Sequence, residues 1–558
     1  MVHLFSILII SSCVMILAMA QSMFPAERAH QMLRNMTLGD KLQMMRGSFG
    51  DYVGNIQGNR RLGIPALAMQ DGPQGFRVTK KTGKQGSSTA WPSSLNIASS
   101  FDPALAYRWA AAMADEFVSK GSNMNLSPGL GIARVPTAGR NFEYLCGEDP
   151  ILGAMLGSEV VKGIQSKGII ANAKHFVNNE IERNRRTVSS TVNEKIRFQL
   201  YYPPFQAAID AGVLSIMCSY NLINGKHACE NEVTLNELRN IMGFKGFVIS
   251  DWLATHSTVA SLSAGLDQEL PTGIYFSGAA LQSALLIDEI RESQIDTSVL
   301  RILTSMYSIG LFDKSEDSVK GDPLADVTSA EHSALAREIA AKSIVLLKNS
   351  KNLLPLNKSK LRKIGVFGDE TTVSGGGSGH VTPGHDHIVT ATEGIKEALI
   401  GYNVTVEYFK IPQDVHKSDG LIIASAFATQ CDIVIVVVAT NSGEGNDRIS
   451  LELDPGFDDL VTALYLANAN TIVAVNTPGA VLLPWSDIVS TILICWMPGE
   501  EAGNGLADIL FNNINPSARL PITLPNKNNE MEFTKEQYPG VGNPPVATYT
   551  EGLLIGYR

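Results

Sequence analysis

Basic charge is what this chain is short of. Its 558 residues carry 45 Lys and Arg against 55 Asp and Glu, a net charge of −10. Such a field repels polyanions, so neither nucleic acid nor an anionic membrane surface is expected as a partner. Cysteine is scarce as well. Of six, Cys13 lies in the N-terminal leader, and the remaining five are odd in number and too few for a disulfide-built scaffold. Cys218 and Cys229, in MCSYNLINGKHAC, are close enough in sequence to pair in an oxidising compartment, and they read equally well as two buried thiols. Beyond the leader no apolar run has membrane-spanning length. Internal repeats and coiled-coil heptads are missing, as is the Gly-x-Ser-x-Gly elbow of a serine nucleophile. His380, His385 and His387 share a loop, but with no nearby Cys and no HExxH helix no metal is expected there. The stretch Ser374 to Gly379, SGGGSG, lacks a GK[ST] ending and a GxGxxG frame. It reads as a tight loop that another group approaches closely, and no cofactor is expected.

The leader itself is an apolar run, Leu4 to Leu17, followed by Ala18-Met19-Ala20. That small-x-small pattern marks a signal peptide cleaved after Ala20, hence a secreted protein with no membrane attachment once cleaved. Sequons at Asn35, Asn357 and Asn403 are compatible with secretion.

Residues 21–310 alternate short apolar runs with amphipathic ones. IPALAMQD, NMNLSPGLGIAR, IIANAKHFV, SIMCSY and GFVISD read as strands. Pro103 to Lys120 reads as a helix, with Asp102 as N-cap, Pro103 in the first turn and Gly121 as its stop. Alternation of this kind predicts parallel βα units, and six or more of them suit a (β/α)8-type, TIM-like barrel. Residues 311–344 are expected to link this domain to the next. From 345 to 530 a second α/β run follows, whose branched segment Ile433 to Val438 predicts a sheet covered on both faces. Residues 531–558 form a C-terminal segment.

Polar residues close most of the first-half strands: Asp71, Arg134, His175, Tyr220 and Asp251. In a barrel all strand C-termini face one mouth, so these residues are expected to converge there. Asp251 needs cationic neighbours to stay ionised at a pocket floor, and Arg134, Lys174 and His175 end adjacent strands. A fixed, ionised carboxylate in a sugar-sized pocket suits a glycosyl nucleophile. Spacing alone reads Asp251 equally well as a helix cap. A second carboxylate, Glu444, stands between glycines in NSGEGNDR after an apolar strand, and alone reads as a solvated loop acid. Leaning over the barrel mouth, it would face Asp251. As a general acid it should titrate near 6, a shift costing about 2.3 kcal/mol that partial burial beside another carboxylate supplies.

Taken together, DGPQGFR, GRNFEYLCGEDP, KHFVNNEIERNR, MCSYN, GFVISDW, GGGSG, NSGEGNDR and YTEGLLIGYR resemble the β-glucosidase branch of family 3 glycoside hydrolases, in that family's order from about residue 30 onward. The resemblance implies a barrel followed by an α/β sandwich, with the active site between them. It implies Asp251 as nucleophile and Glu444 as acid/base of a retaining, exo-acting double displacement on β-linked glucosides or oligosaccharides. For such a mechanism the carboxyl groups lie roughly 5–5.5 Å apart. It further implies sugar contacts by Asp71, Arg134, Lys174, His175, Met217 and Tyr220, with Trp252 as an apolar wall. Arg140, Glu143 and Glu182 also fall in family motifs and are read as structural ion pairs. Trp252 and the DGP motif favour glucosides over xylosides, and a β-xylosidase or broad exo-glycosidase is the alternative, ahead of a non-catalytic sugar-binding protein. Gly131 departs from the pattern, standing where relatives often carry Asn or Asp. Many relatives continue into a fibronectin-like third domain; this sequence stops at Arg558, so that domain is expected to be either naturally absent or cut off with an incomplete sequence.

Overall fold

The apolar runs of the first half become the staves of a curled sheet in the computed structural model, which describes residues 24–77, 86–314, 321–381, 388–409 and 418–558. The expected signal peptide lies outside the described residues, as do His385 and His387. Six strands hydrogen-bond in the order Gly54–Ile56, Leu67–Asp71, Met124–Leu126, Ile170–Phe176, Ser215–Cys218 and Phe247–Ser250. All pairs are parallel except the first, an antiparallel hairpin. Past the last strand the ring continues through irregular chain. Ile249 bridges Gln268, Arg46 bridges Glu269, and Ser48 N–H bonds Asn55 O, beside the first strand. The barrel is thus TIM-like with an irregular closing side.

Local chemistry sets the helices between these strands. Helix Pro103–Ser119 begins where Asp102 accepts from Leu105 N–H at 3.0 Å and ends before Gly121, whose φ of +80° few side chains adopt. Helix Pro150–Gln165 repeats the device with Asp149. Each helix buries its apolar stripe against the sheet, at about 1.5–3 kcal/mol per large side chain removed from water.

The second sheet runs in the order Val345–Asn349, Thr491–Trp496, Thr471–Asn476, Ile433–Ala439, Lys363–Gly368 and Thr405–Phe409. Every residue of Ile433–Ala439 is buried. Alternation explains why: Ile433, Ile435 and Val437 pack with Ile395 and Leu506 of helices Ala391–Ala398 and Ala502–Leu510. Val434, Val436 and Val438 belong to the core that holds Leu460 and Leu464 of helix Phe457–Ala467 on the other face. Within the stretch read as a linker, Ala330–Ser343 is a helix, and its Arg337 pairs with Asp508 at 2.7 Å. The C-terminal segment returns to the barrel, where Val546–Thr548 pairs in parallel with Ser189–Thr191. Among the described residues no helix is long and apolar enough to cross a membrane.

Candidate active site

Strand ends of the barrel and two loops of the second domain line a cavity of about 520 Å³. Asp71, Lys174, His175, Met217, Tyr220, Asp251, Trp252 and Glu444 all line it. Asp251 follows strand Phe247–Ser250, and its N–H bonds Cys218 O on the neighbouring strand at 3.2 Å. Cys218 is joined to Cys229 in a disulfide that closes the loop carrying Tyr220. One Asp251 oxygen, Oδ1, accepts from Trp252 N–H at 2.7 Å. The other, Oδ2, has no hydrogen-bond partner among the described residues and stands 3.5 Å from His175 Nε2. The Trp252 ring is fixed in turn by its Nε1–H, which donates to Val53 O.

Burial pushes the Asp251 carboxyl above its usual range, opposed by Arg140, the Trp252 N–H and the Tyr220 hydroxyl. Burial together with Arg140, Lys174 and Arg185 holds His175 well below its ordinary value, so the ring is neutral. The Tyr144 hydroxyl lies 3.1 Å from Nδ1 and orients the ring so that Nε2 faces Asp251. Gly131 makes room for Tyr144: a Cβ there would come within 3.1 Å of its ring. Deeper in the site, Asp71 lies between Lys174 Nζ at 3.7 Å and Arg77 at 3.4 Å, and burial raises its carboxyl against them. Lys174 also reaches Glu143, the buried partner of Arg140.

Glu444 enters from the loop after strand Ile433–Ala439. The glycine-rich stretch read as a close-approach loop packs directly against it. Gly376 bridges Gly443, and a Cβ on Gly377 would sit 2.4 Å from that of Glu444. Ser378 N–H donates to Glu444 Oε2 at 3.1 Å. Three residues on, Asp447 staples the loop to the barrel, accepting from Gly139, Glu182 and Arg183 N–H and the Tyr538 hydroxyl. Gly445 N–H adds a bond to Glu182 at 2.8 Å. These bonds carry Glu444 across 193 residues of sequence into the same cavity as Asp251.

Two expectations need correction. Glu444 is not raised toward 6. Burial does push it up, but Arg140 at 3.6 Å and Arg185 at 2.8 Å outweigh burial and hold it well below the usual carboxylate range. Arg134 does not line the cavity. Its strand ends at Leu126, so residues 127–134 are irregular chain and the convergence rule for strand ends does not reach it. Its fully buried guanidinium pairs with Glu551 at 2.5 Å and stacks 3.7 Å over Tyr549, fastening the C-terminal segment to the barrel. Arg140, read as structural, lines the cavity instead. Sequence reasoning also passed over Arg77, Arg185, Arg186 and Ser378. Three arginines within four positions, 183 to 186, were the available signal for two of these.

Comparison with known proteins bears on the whole chain. Residues 31–305 match the glycosyl hydrolase family 3 N-terminal domain, and residues 344–557 match the family's C-terminal domain. A probable β-glucosidase L of Aspergillus terreus is 33% identical over 95% of this chain and 75% of its own length. The thermostable β-glucosidase B of Acetivibrio thermocellus is also 33% identical, over 95% of this chain and 70% of its own. Among solved structures, a β-glucosidase of Chaetomella raphigera superposes with a TM-score of 0.84 at 31% identity, covering 96% of this chain and 77% of that one. A β-glucosidase of Streptomyces venezuelae, solved with D-glucose, gives a TM-score of 0.87 at 28% identity, over 95% and 82%. Matched in order by both family domains and a third identical to relatives along nearly its whole length, this chain belongs to glycosyl hydrolase family 3.

Proposed function

We propose that this protein is a retaining, exo-acting β-glucosidase that releases terminal β-linked glucosyl residues from glucosides or oligosaccharides. The observation that carries the reading is the free Oδ2 of a buried Asp251 in a sugar-sized cavity also lined by a carboxyl group from the second domain. The names borne by the relatives support the same activity.

In this mechanism Asp251 Oδ2 attacks the anomeric carbon while the bond to the leaving oxygen breaks and Glu444 gives that oxygen its proton. Glu444 then takes a proton from water, the water oxygen bonds the anomeric carbon, and the ester to Asp251 breaks. The neutral His175 steadies the attacking carboxylate without neutralising it. Lys174, Arg77 and Asp71 form the polar floor that grips sugar hydroxyls, and Trp252 supplies the apolar wall.

Electrostatics give this cycle a particular proton arrangement. Cations favour the ionised form of Glu444 and burial favours the protonated form of Asp251. The cations thus oppose the protonated Glu444 that acid catalysis needs, and burial opposes the ionised Asp251 that attack needs. Asp251→Asn is expected to abolish hydrolysis of an aryl β-glucoside while leaving the melting temperature near that of the parent. Normal turnover in that variant would overturn the assignment. The same assay run with an aryl β-xyloside separates a glucosidase from a xylosidase.

Secretion is part of the proposal, supported by the leader pattern and by the Cys218–Cys229 bond, which persists in oxidising compartments. N-terminal sequencing of the mature protein, expected to begin at Gln21, tests it.

A further inference from the structure

Among the described residues five permanent cations line the catalytic cavity, and four of them are paired with carboxylates. Arg77 faces Asp71 at 3.4 Å, and Lys174 faces Glu143 at the same distance. Arg140 pairs with Glu143 at 2.6 Å, and Arg185 with Glu182 and Glu444 at 2.8 Å. The fifth, Arg186, has no carboxylate within ion-pair distance among the described residues. Glu230, beside His256, accepts from the Ser257 hydroxyl at 2.5 Å.

The position of Arg186 is set rather than free. Its guanidinium lies 5.0 Å from the centroid of the Tyr220 ring, over which Arg185 also sits at 4.4 Å. Stacking of this kind holds a cation in place while leaving its in-plane N–H donors unused. Exposure rises from floor to mouth: the side chains of Lys174 and Arg140 are 2% and 3% exposed, Arg185 13%, and Arg186 is on the surface. Because Asp251 attacks from the buried end, the glucosyl ring fills the interior and the leaving group points outward, to the level of Arg186. There His256, exposed and stacked on His227 with ring centroids 3.5 Å apart, stands as a further neighbour of the guanidinium. A chain of net charge −10 gives no general attraction to anions, so an unpaired guanidinium at the mouth is a local and selective one.

We infer that Arg186 is a specificity-determining residue for the leaving group, and that the enzyme favours β-glucosides whose aglycone carries a carboxylate. A planar guanidinium with a free edge accepts a carboxylate through two parallel N–H···O bonds, and glucose, which is neutral, has no use for it. The inference rests on the β-glucosidase reading above and adds the class of substrate.

The test compares the β-glucoside of 4-hydroxybenzoate with that of its methyl ester. Each substrate is its own control, because acid and ester differ in leaving-group reactivity. Arg186→Gln is expected to lower kcat/KM for the carboxylate about fivefold more than for the ester, chiefly through KM, as an exposed ion pair allows. That ratio does not depend on the fraction of active enzyme, so partial misfolding cannot imitate it. Arg186→Lys should keep most of the preference, and in the unaltered protein 0.5 M salt should erode it. Equal factors for the two substrates, or a carboxylate preference in the unaltered protein that salt does not touch, overturn the inference. Failure of the unaltered protein to hydrolyse the ester at all would instead overturn the β-glucosidase reading.

Discussion

Arg185→Gln removes one of the two guanidiniums that hold Glu444 ionised, and its consequence can be worked from the geometry. Arg185 Nη1 lies 2.8 Å from Glu444 Oε1, and Arg140 Nη1 remains at 3.6 Å after the change. An opposite charge at such range lowers a carboxyl by about 1–3 pH units. With Arg140 still present, the lower end applies, about one unit or about 1.4 kcal/mol. In the free enzyme Glu444 is the group of lower pKa and sets the acidic limb of kcat/KM, so that limb should move up by about one unit. Arg185→Lys keeps the charge and should return the limb most of the way. Stability follows with a definite sign. A depressed carboxyl contributes stability above its unfolded value near 4.3, lost as pH falls through the folded value. The melting deficit of Arg185→Gln should therefore be present at pH 7 and shrink on acidification. The assay is a pH series of kcat/KM on a neutral aryl β-glucoside, with thermal melts alongside. An acidic limb that stays put in a folded, active Arg185→Gln, or one that moves equally in Arg185→Lys, would refute the electrostatic account of Glu444.

Three other outcomes follow. Glu444→Ala should retain fast glycosylation from substrates with good leaving groups, and added azide should restore turnover as a β-glucosyl azide; neither effect appearing would mean Glu444 is not the acid/base. Cys218→Ser opens a bond spanning 11 residues. On chain-entropy grounds that costs about 3 kcal/mol, read as a lower denaturant midpoint. Because the same bond closes the Tyr220 loop, activity should fall more steeply with temperature than in the unaltered protein. Glu500, where Ala90 N–H of the barrel meets the second domain, is pushed up to about 7 by burial. A raised carboxyl contributes stability below its unfolded value near 4.3 that is lost as pH climbs toward 7. Glu500→Gln, which resembles the protonated form, should flatten the fall in melting temperature between pH 5 and pH 7.5; a parallel fall in both proteins would refute the assignment.

Much of the site was legible because strand periodicity and strand ends are local properties. Asp71, His175 and Asp251 stand within one residue of strand ends where the apolar runs stop, and the barrel rule then brings them to one mouth. The same rule misled at Arg134, since a polar residue after an apolar run closes a strand only if the run pairs to its end, and here pairing stops at Leu126. Arg140, Arg185 and Arg186 sit in irregular loops, where no period in the sequence says which way a side chain points. The antiparallel first strand and the irregular closure through 45–48 and 267–270 were likewise hidden, because those segments carry little strand signal of their own.

What the sequence by itself determined is the chemistry available: two α/β units, a carboxylate at a buried strand end, a second one on a glycine-flanked loop, and the order of motifs that ties both to one family. Covalent order and hydrophobic period suffice for that, since they decide local structure and the face each residue takes. Only the tertiary structure decided which charges meet. The Asp447 staple brings Glu444 into the cavity of Asp251, Arg140 and Arg185 converge on Glu444, and Arg186 stacks on Tyr220 with no ion-pair partner among the described residues. Coulomb energies depend on distances between residues far apart in the chain, so the ionisation state of the catalytic pair is a property of the fold.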